Sequence, residues 1–587
     1  MRAAPNSSQH RHELVERLLG LSTASFGDQL QLVGRLCDTP LPTLEEALLQ
    51  VSHVCITHSE PEVQNLLRNF MLSLAAKSFI AALRLSWAVD SVWGIFSALG
   101  LGDRVKEVQD KIESVAINHR GGAARGGGNH ADVTEAEVGR KEMRLKLYND
   151  ERQFLSIITG WSAQLCQYPD RRRRQTELRR KLHELNKTLG TQALIYPFGG
   201  VDDPVKWIVN VAVDESVVFS SRERAPFLLR CEVVFDDTTT MRDPMASKLR
   251  LPNGSFRITR DFDEVFAPSP TRRGRGEEKA GMSDGAAQGR GERGAFACAF
   301  GETPEERVAR LRKTALFGKH PNWDIASIFV KAGDDLRQEE LALQLISVFN
   351  QIWEEAGLTC SVRPHRALSV STDSGVIECI DGACSIDGIK KACSVTSLAQ
   401  FFNEAFGPVG SERHSRAAAN FVETMAGYSI VTYMLQIKDR HNGNLMLTSE
   451  GHLVHIDFGF MLVTSPGGIN FESAPFKLSQ DLMEVLGGVE SDMFSYFKVL
   501  LYQGMVAVRE RVEDILGLVS LMTPYNTMPC FGSDPVSAVQ QLRSRFRFDL
   551  ETETDFALYV KELVAESVDN WRTRRYDQFQ TLQNGIL

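Results

Sequence analysis

The chain has 587 residues, 43% of them apolar and 24% charged, which is too long for a single core and fits about two to four domains. Acidic residues outnumber basic ones 75 to 66, for a net charge of −9, so a chain-wide basic scaffold for nucleic acid is excluded and no nucleic-acid partner is expected. The ten cysteines are scattered, with no C-x-x-C pair and no Cys/His cluster at zinc spacing, and read as reduced thiols in a cytoplasmic protein.

In chain order, Met1 to Gly20 carries charges and histidines throughout, so no secretory signal is expected, and residues 1–29 read as an N-terminal tail. From 30 to 117 the pattern is helical, with Leu44, Leu48 and Val51, then Leu66, Phe70 and Leu74, recurring at helical intervals. The most apolar stretch, Met71 to Gly102, is broken by Lys77, Arg84 and Asp90; it predicts a buried helix, because its longest uncharged run is short of the roughly 20 residues that span a bilayer. Lys77 and Arg84 share one stripe and read as a solvated edge. His119 to Asn129 is Gly-rich and predicts a flexible linker over 118–139. Arg171 to Arg174 with Arg179, Arg180 and Lys181 form a basic run, a solvated face or else a contact with an anionic membrane or phosphate.

The period then changes. Val209, Val211 and Val213 alternate, Val217 to Phe219 and Pro226 to Phe235 follow as strands, and Ser220-Ser221-Arg222 lies between the last two. Residues near 267–295 are poor in apolar side chains and predict a disordered insert. Its Gly289, Gly291 and Gly294 spell G-x-G-x-x-G, but a phosphate loop needs a strand leading into it, and none does. Order returns with a strand over Ile325 to Lys331, a break at Gly333, a helix over Leu336 to Trp353, and a strand pair over Leu368 to Ile380.

The strongest chemical signal is Asp439-Arg440-His441-Asn442-Gly443-Asn444, followed by a strand, a turn at Ser449-Glu450-Gly451, a second strand and Asp457-Phe458-Gly459. If Leu445 to Leu447 pairs antiparallel with Leu453 to Ile456 about residue 450, Asn444 falls opposite Ile456 and beside Asp457. An Asn and an Asp at one end of a hairpin offer hard oxygen ligands for Mg²⁺. Asp439 or His441 can take a proton from an attacking hydroxyl, and Arg440 can hold the loop by pairing with a carboxylate. Lys331 supplies a cation for nucleotide phosphates, Ser220, Ser221 and Arg222 can cover them, and Glu339 can orient Lys331 by an ion pair.

Together NWDIASIFVKAGDDLRQE, KDRHNGN and HLVHIDFGF resemble the phosphatidylinositol 3-/4-kinase superfamily, and FKLSQDLMEVLGG, DMFSYFKVLLYQG and YDQFQTLQNGIL are similar to its type III beta phosphatidylinositol 4-kinases. The resemblance implies an α+β fold: an all-α helical domain (30–117), then a bilobal protein-kinase-like catalytic domain with a strand-rich small lobe (140–378) and a mainly helical large lobe (379–587). It implies transfer of the γ-phosphate of ATP to the inositol 4-hydroxyl of phosphatidylinositol. It places Glu378, Cys379 and Ile380 at an adenine hinge, Lys331 on the ATP phosphates, Asp439, Arg440 and His441 in the catalytic loop, and Asn444 and Asp457 on metal. Peripheral residence on Golgi membranes and Rab-family GTPase, Golgi adaptor and 14-3-3 partners are also implied. A related serine/threonine protein kinase and a catalytically dead scaffold are the competing readings.

From Phe458 to Leu478 the only full positive charge is Lys477, against Glu472, which predicts an unphosphorylated inositol headgroup. At the C-terminus Val568, Trp571, Phe579, Leu582 and Ile586 form one stripe near Arg572, Arg574 and Arg575, an interfacial membrane helix or a face packed on the core.

Overall fold

The computed structural model describes residues 7–21, 24–118, 135–189, 192–219, 224–246, 294–468 and 472–587. Most of the expected linker, the expected insert up to residue 293 and Ser220-Ser221-Arg222 lie outside these residues. Gly294 caps the short helix Ala295–Phe300 and opens no phosphate loop.

Seven helices come first: Ser7–Gly20, Phe26–Cys37, Leu41–Glu46, Leu48–Thr57, Pro61–Lys77, Phe79–Ala98 and Gly102–Asn118. Ser7–Gly20 lies in the stretch read as a tail. Its Leu14 and Leu18 are fully buried at helical spacing, a signal masked in the sequence by the charges between them. Phe79–Ala98 starts at Ser78, whose hydroxyl accepts the Ala81 N–H, and carries Ile80, Leu83, Leu85 and Trp87 at zero exposure. Among the described residues it is the one helix long and apolar enough to cross a membrane, and it lies packed inside the molecule. Arg84 on this helix is no solvated edge: it pairs with Glu45 and donates to the carbonyls of Pro197 (3.1 Å) and Gly199 (2.6 Å), tying the helices to the first strands.

The small lobe is an antiparallel sheet in the order β1-β2-β4-β5-β7-β6, with β3 paired to β4. Its strands are β1 (Leu194–Ile195), β2 (Pro204–Val211), β3 (Val217–Val218), β4 (Phe227–Thr240), β5 (Trp323–Ala332), β6 (Ala367–Ser371) and β7 (Ser374–Glu378). Val213, read as part of an alternating strand, instead starts a short 3-10 turn. The helices Glu135–Leu165 and Arg171–Leu189 flank the sheet. The basic run is only partly a free face, since Arg174 is buried and donates to the carbonyls of Tyr168 and Arg224, and Arg180 pairs with Glu177.

After β5 the helix Leu336–Glu355 is capped by Asp335, whose carboxylate accepts the Arg337 N–H. Beyond Glu378 the chain enters the large lobe, whose sheet is β10-β9-β8, with β8 (Ala383–Ser385), β9 (Leu445–Thr448) and β10 (Leu453–His455). Its central helix, Glu412–Leu435, packs on Asp492–Glu510, where the Trp353 indole N–H donates to the Gly504 carbonyl at 3.0 Å. The N-terminal helices touch both lobes. Phe79 N–H donates to the Arg242 carbonyl of the small lobe at 2.8 Å, while His12 meets Asp514 at 2.7 Å and Val15 sits on Gly517 of the large lobe. The N-terminal helices and the small-lobe sheet share one hydrophobic core, and the large lobe has a second, to which Val15 and Leu49 belong.

Candidate active site

The site forms where the end of β5 meets the β9–β10 hairpin. Lys331 pairs in register with Gly375 of β7, and the strand then breaks at Gly333, whose φ of +87° aims its N–H and that of Asp334 at the Asp373 carbonyl. The Lys331 ammonium lies 2.9 Å from the Asp334 carboxylate and 3.2 Å from that of Asp457, and Arg224 pairs with Asp334 from the other side. Burial by itself would lower the lysine's pKa. The carboxylates of Asp457, Glu339 and Asp334 outweigh it and hold the ammonium above its ordinary range.

Glu339 does not orient Lys331 by direct contact, as the sequence suggested. Its carboxylate accepts the backbone N–H of Phe458 at 2.9 Å, and burial raises its pKa. The neighbouring Gln338 donates its amide to the Phe458 carbonyl at 2.8 Å.

The hairpin takes the expected register, with Leu453 opposite Leu447 and His455 opposite Leu445, and Ile456 N–H donates to the Asn444 carbonyl at 3.1 Å. Its turn requires glycine: Gly451 has φ +93°, and a Cβ there would lie 2.6 Å from the Ala417 carbonyl oxygen. Two aspartates take the same left-handed conformation, Asp439 at φ +65° and Asp457 at φ +60°. The Asn444 amide donates to the Asp439 carbonyl at 2.9 Å, which leaves its oxygen for another partner. Burial would raise the pKa of Asp457, but the charges of Lys331 and Arg440 prevail and keep it below the usual carboxylate range.

Arg440 differs from its expected role. It pairs with no carboxylate; buried beneath the loop, it donates to the carbonyls of Lys438 (3.0 Å), Ile456 (2.8 Å) and Asp457. Asp439 receives Tyr576 OH and Gln580 Nε2 (3.4 Å) on its carboxylate, while its own N–H donates to Glu472 at 2.6 Å. His441 Nε2 is 3.7 Å from Asp439 Oδ1, its Nδ1 accepts the Gly443 N–H at 3.1 Å, and burial lowers its pKa.

The structure thus brings Lys331, Glu339, Asp439, Arg440, His441, Asn444 and Asp457 together. Around Ser220-Ser221-Arg222, Val218 pairs with Phe227, and Phe227 pairs with Val330 beside Lys331. Glu378 closes β7 with its N–H on the Arg366 carbonyl at 2.7 Å, and Cys379 and Ile380 carry the chain between the two sheets. Gln338, Glu472, Tyr576 and Gln580 were not foreseen. The last two lie on the helix Trp571–Asn584, on a face away from its apolar stripe. That helix buries Thr573, Tyr576 and Gln580 and leaves Trp571, Phe579 and Leu582 exposed at 57%, 54% and 88%. Val568, read into the stripe, belongs to the end of the preceding helix, Glu553–Ser567.

Comparison with known proteins gives the geometry its context. The family described as phosphatidylinositol 3- and 4-kinase matches residues 325–531. A Dictyostelium discoideum phosphatidylinositol 4-kinase is 46% identical over 289 residues, covering 49% of this chain and 24% of that protein. Phosphatidylinositol 4-kinase beta 1 of Arabidopsis thaliana is 49% identical over 292 residues, covering 49% of this chain and 26% of that protein. Human phosphatidylinositol 4-kinase beta is 32% identical over 501 residues, covering 74% of this chain and 60% of its own length, so the chain spans less than two thirds of each of these relatives.

Proposed function

We propose that the chain, whose residues 325–531 match the phosphatidylinositol 3- and 4-kinase family, phosphorylates the inositol 4-hydroxyl of phosphatidylinositol with ATP. The observation that carries the reading is one constellation. A lysine ammonium lies between two carboxylates, the hairpin register sets Asn444 opposite Ile456 and so next to Asp457, and an Asp–His pair stands beside them. The hydroxyl oxygen bonds to the γ-phosphorus as the bond to the β-phosphate oxygen breaks, and ADP leaves.

Lys331 meets the nucleotide phosphates, prepositioned by Asp334 and Asp457 so that little reorganisation is needed when charge shifts onto them. Asn444 and Asp457 fit Mg²⁺, because the asparagine has committed its NH₂ end to Asp439 and the Asp457 carboxylate supplies a hard anionic oxygen beside it in the hairpin. The ion, when bound, neutralises phosphate oxygens. The hydroxyl proton goes to the Asp439–His441 pair. Since burial lowers the His441 pKa, the imidazole is neutral and able to accept a proton at pH 7; protonation on acidification removes that ability. The acid limb of kcat should therefore have its midpoint below the ordinary histidine value of 6.5 and disappear in His441→Gln. A limb unchanged in that variant would assign the proton to Asp439 alone.

Charge supports an unphosphorylated headgroup. Lys477, the single cation after Asp457 up to Leu478, is already paired with Asp577 at 2.7 Å and bonded to Asn442 at 3.3 Å. Phosphatidylinositol should be turned over at least about tenfold more efficiently than phosphatidylinositol bisphosphate, since the stretch from Phe458 to Leu478 has no unpaired cation to neutralise extra phosphates. Equal kcat/KM for the two lipids would contradict this.

The exposed Trp571, Phe579 and Leu582, with Arg572, Arg574 and Arg575 nearby, suit docking on an anionic bilayer, and by resemblance we assign the enzyme to the cytoplasmic face of Golgi membranes. The deciding experiment is radiolabelled-ATP transfer to phosphatidylinositol vesicles with the ring position of the product resolved. Label on the 4-hydroxyl is expected; label on a peptide acceptor but not on lipid would overturn the reading.

A further inference from the structure

The backbone of residues 456–458 is held from two sides. The catalytic-loop Arg440 donates to the carbonyls of Ile456 and Asp457. From the first turn of Leu336–Glu355, Gln338 donates to the Phe458 carbonyl at 2.8 Å and Glu339 accepts the Phe458 N–H at 2.9 Å, so consecutive helix residues take both polar groups of one residue. Gln338 and Glu339 are 2% and 4% exposed, and Gln338 Oε1 is buried without a hydrogen-bond partner. A buried orphan acceptor is a cost a core glutamine normally avoids, so the NH₂ end of Gln338 is the end with a task.

What this grip holds is an unfavourable conformation. Asp457 sits at φ +60°, a left-handed region disfavoured for a residue with a Cβ, and it presents its carboxylate to Lys331 from there. Released, the turn is free to relax and re-aim the carboxylate by more than the site's tolerance of about 0.5 Å.

We propose that Gln338 is a positioning residue of the phosphoryl-transfer site: by bonding the Phe458 carbonyl, together with Glu339 on the Phe458 N–H, it fixes the bearing of the Asp457 carboxylate toward the metal and nucleotide. The proposal rests on the ATP-dependent kinase reading. With Glu339, Gln338 is a contact by which a displacement of the Leu336–Glu355 helix reaches the metal ligand.

The test titrates Mg²⁺ against binding of a fluorescent N-methylanthraniloyl ATP, which needs no lipid and no turnover. Gln338→Leu should bind the nucleotide as the parent does without metal and require about tenfold or more Mg²⁺ for half-maximal enhancement, the usual loss when the support of a metal ligand is removed. Gln338→Glu is nearly isosteric and adds a diagnostic. Its introduced carboxyl can donate to the Phe458 carbonyl only when protonated, and the charged groups about this first turn are Asp334, Asp335, Arg337, Glu339, Lys331, Asp457 and Arg440. The ratio of variant to parent Mg²⁺ response should rise as pH falls from 8 to 6, a trend a merely structural role does not produce. Thermal unfolding of both variants reports on the fold. Mg²⁺ dependence equal to the parent's in Gln338→Leu, or a pH-independent ratio in Gln338→Glu, overturns the positioning role alone; a parent chain that binds no nucleotide overturns the kinase reading and this role with it.

Discussion

Asp457→Asn should lower kcat by about 10³-fold or more while leaving the thermal unfolding profile near that of the parent. Asparagine is the informative replacement because it tolerates the left-handed backbone at φ +60°, so the loss is one of charge. Three consequences follow from that charge: the ammonium of Lys331 keeps Asp334 but loses its partner at 3.2 Å, a hard anionic oxygen is missing from the metal site, and the field that raises the lysine pKa is weakened. Asp457→Ala removes the same charge and adds roughly 1–2 kcal/mol of backbone strain, so it should be both inactive and less stable. Single-turnover transfer from radiolabelled ATP, beside a melting curve, separates the two effects. A decrease of less than about tenfold in Asp457→Asn would remove Asp457 from the metal site.

Arg440→Met is expected to be the most damaging substitution for the fold of the site, costing about 3–5 kcal/mol and abolishing transfer. The guanidinium is 2% exposed and donates to three carbonyls, those of Lys438, Ile456 and Asp457. Methionine fills similar volume but leaves three buried acceptors unpaired, at about 1–3 kcal/mol each before relaxation. Burial lowers the arginine's pKa, opposed by Asp439, Asp457, Glu472 and Glu339, so the surrounding carboxylates also lose their compensating cation. Denaturant unfolding together with hydrogen exchange over residues 438–459 would show the effect, with exchange accelerated in both the catalytic loop and the Asp457 turn. An unchanged unfolding midpoint with native exchange would mean that the loop is held by other means.

Much of this site was legible because its parts are local. The register of β9 and β10 follows from a three-residue turn and a period of two, and it alone brings Asn444 beside Asp457. The strand before Lys331 and the helix after it were likewise marked by periodicity and by the break at Gly333. The partners across the chain were not legible. Tyr576 reaches Asp439 over 137 residues and Gln338 reaches Phe458 over 120, and no local pattern encodes such contacts. One error, at Arg84, comes from the assumption that charged side chains face solvent. Arg84 is half-buried among carbonyls and Glu45; the helix Trp571–Asn584, for which both a membrane face and a packed face were open, turns its polar face toward Asp439 and leaves its apolar stripe exposed. Glu339 was foreseen in the right place with the wrong partner, since a sequence cannot say that a backbone N–H lies nearer than an ammonium.

The N-terminal helices change the mechanics of the two lobes. The lobes are joined covalently through the single segment after Glu378, which by itself would act as a loose swivel free to open, twist and shear. The same lobes are bridged a second time by the helices that bond Arg242 on one side and seat Val15 on Gly517 and His12 on Asp514 on the other. The helix Ala295–Phe300, between β4 and β5, adds a further tie, with Phe296 against Phe406 and Phe300 against Phe401 of the large lobe. Moving one lobe against the other then requires these packed helices to deform as well, so the N-terminal helices act as a brace across the cleft between Lys331 and Asp457.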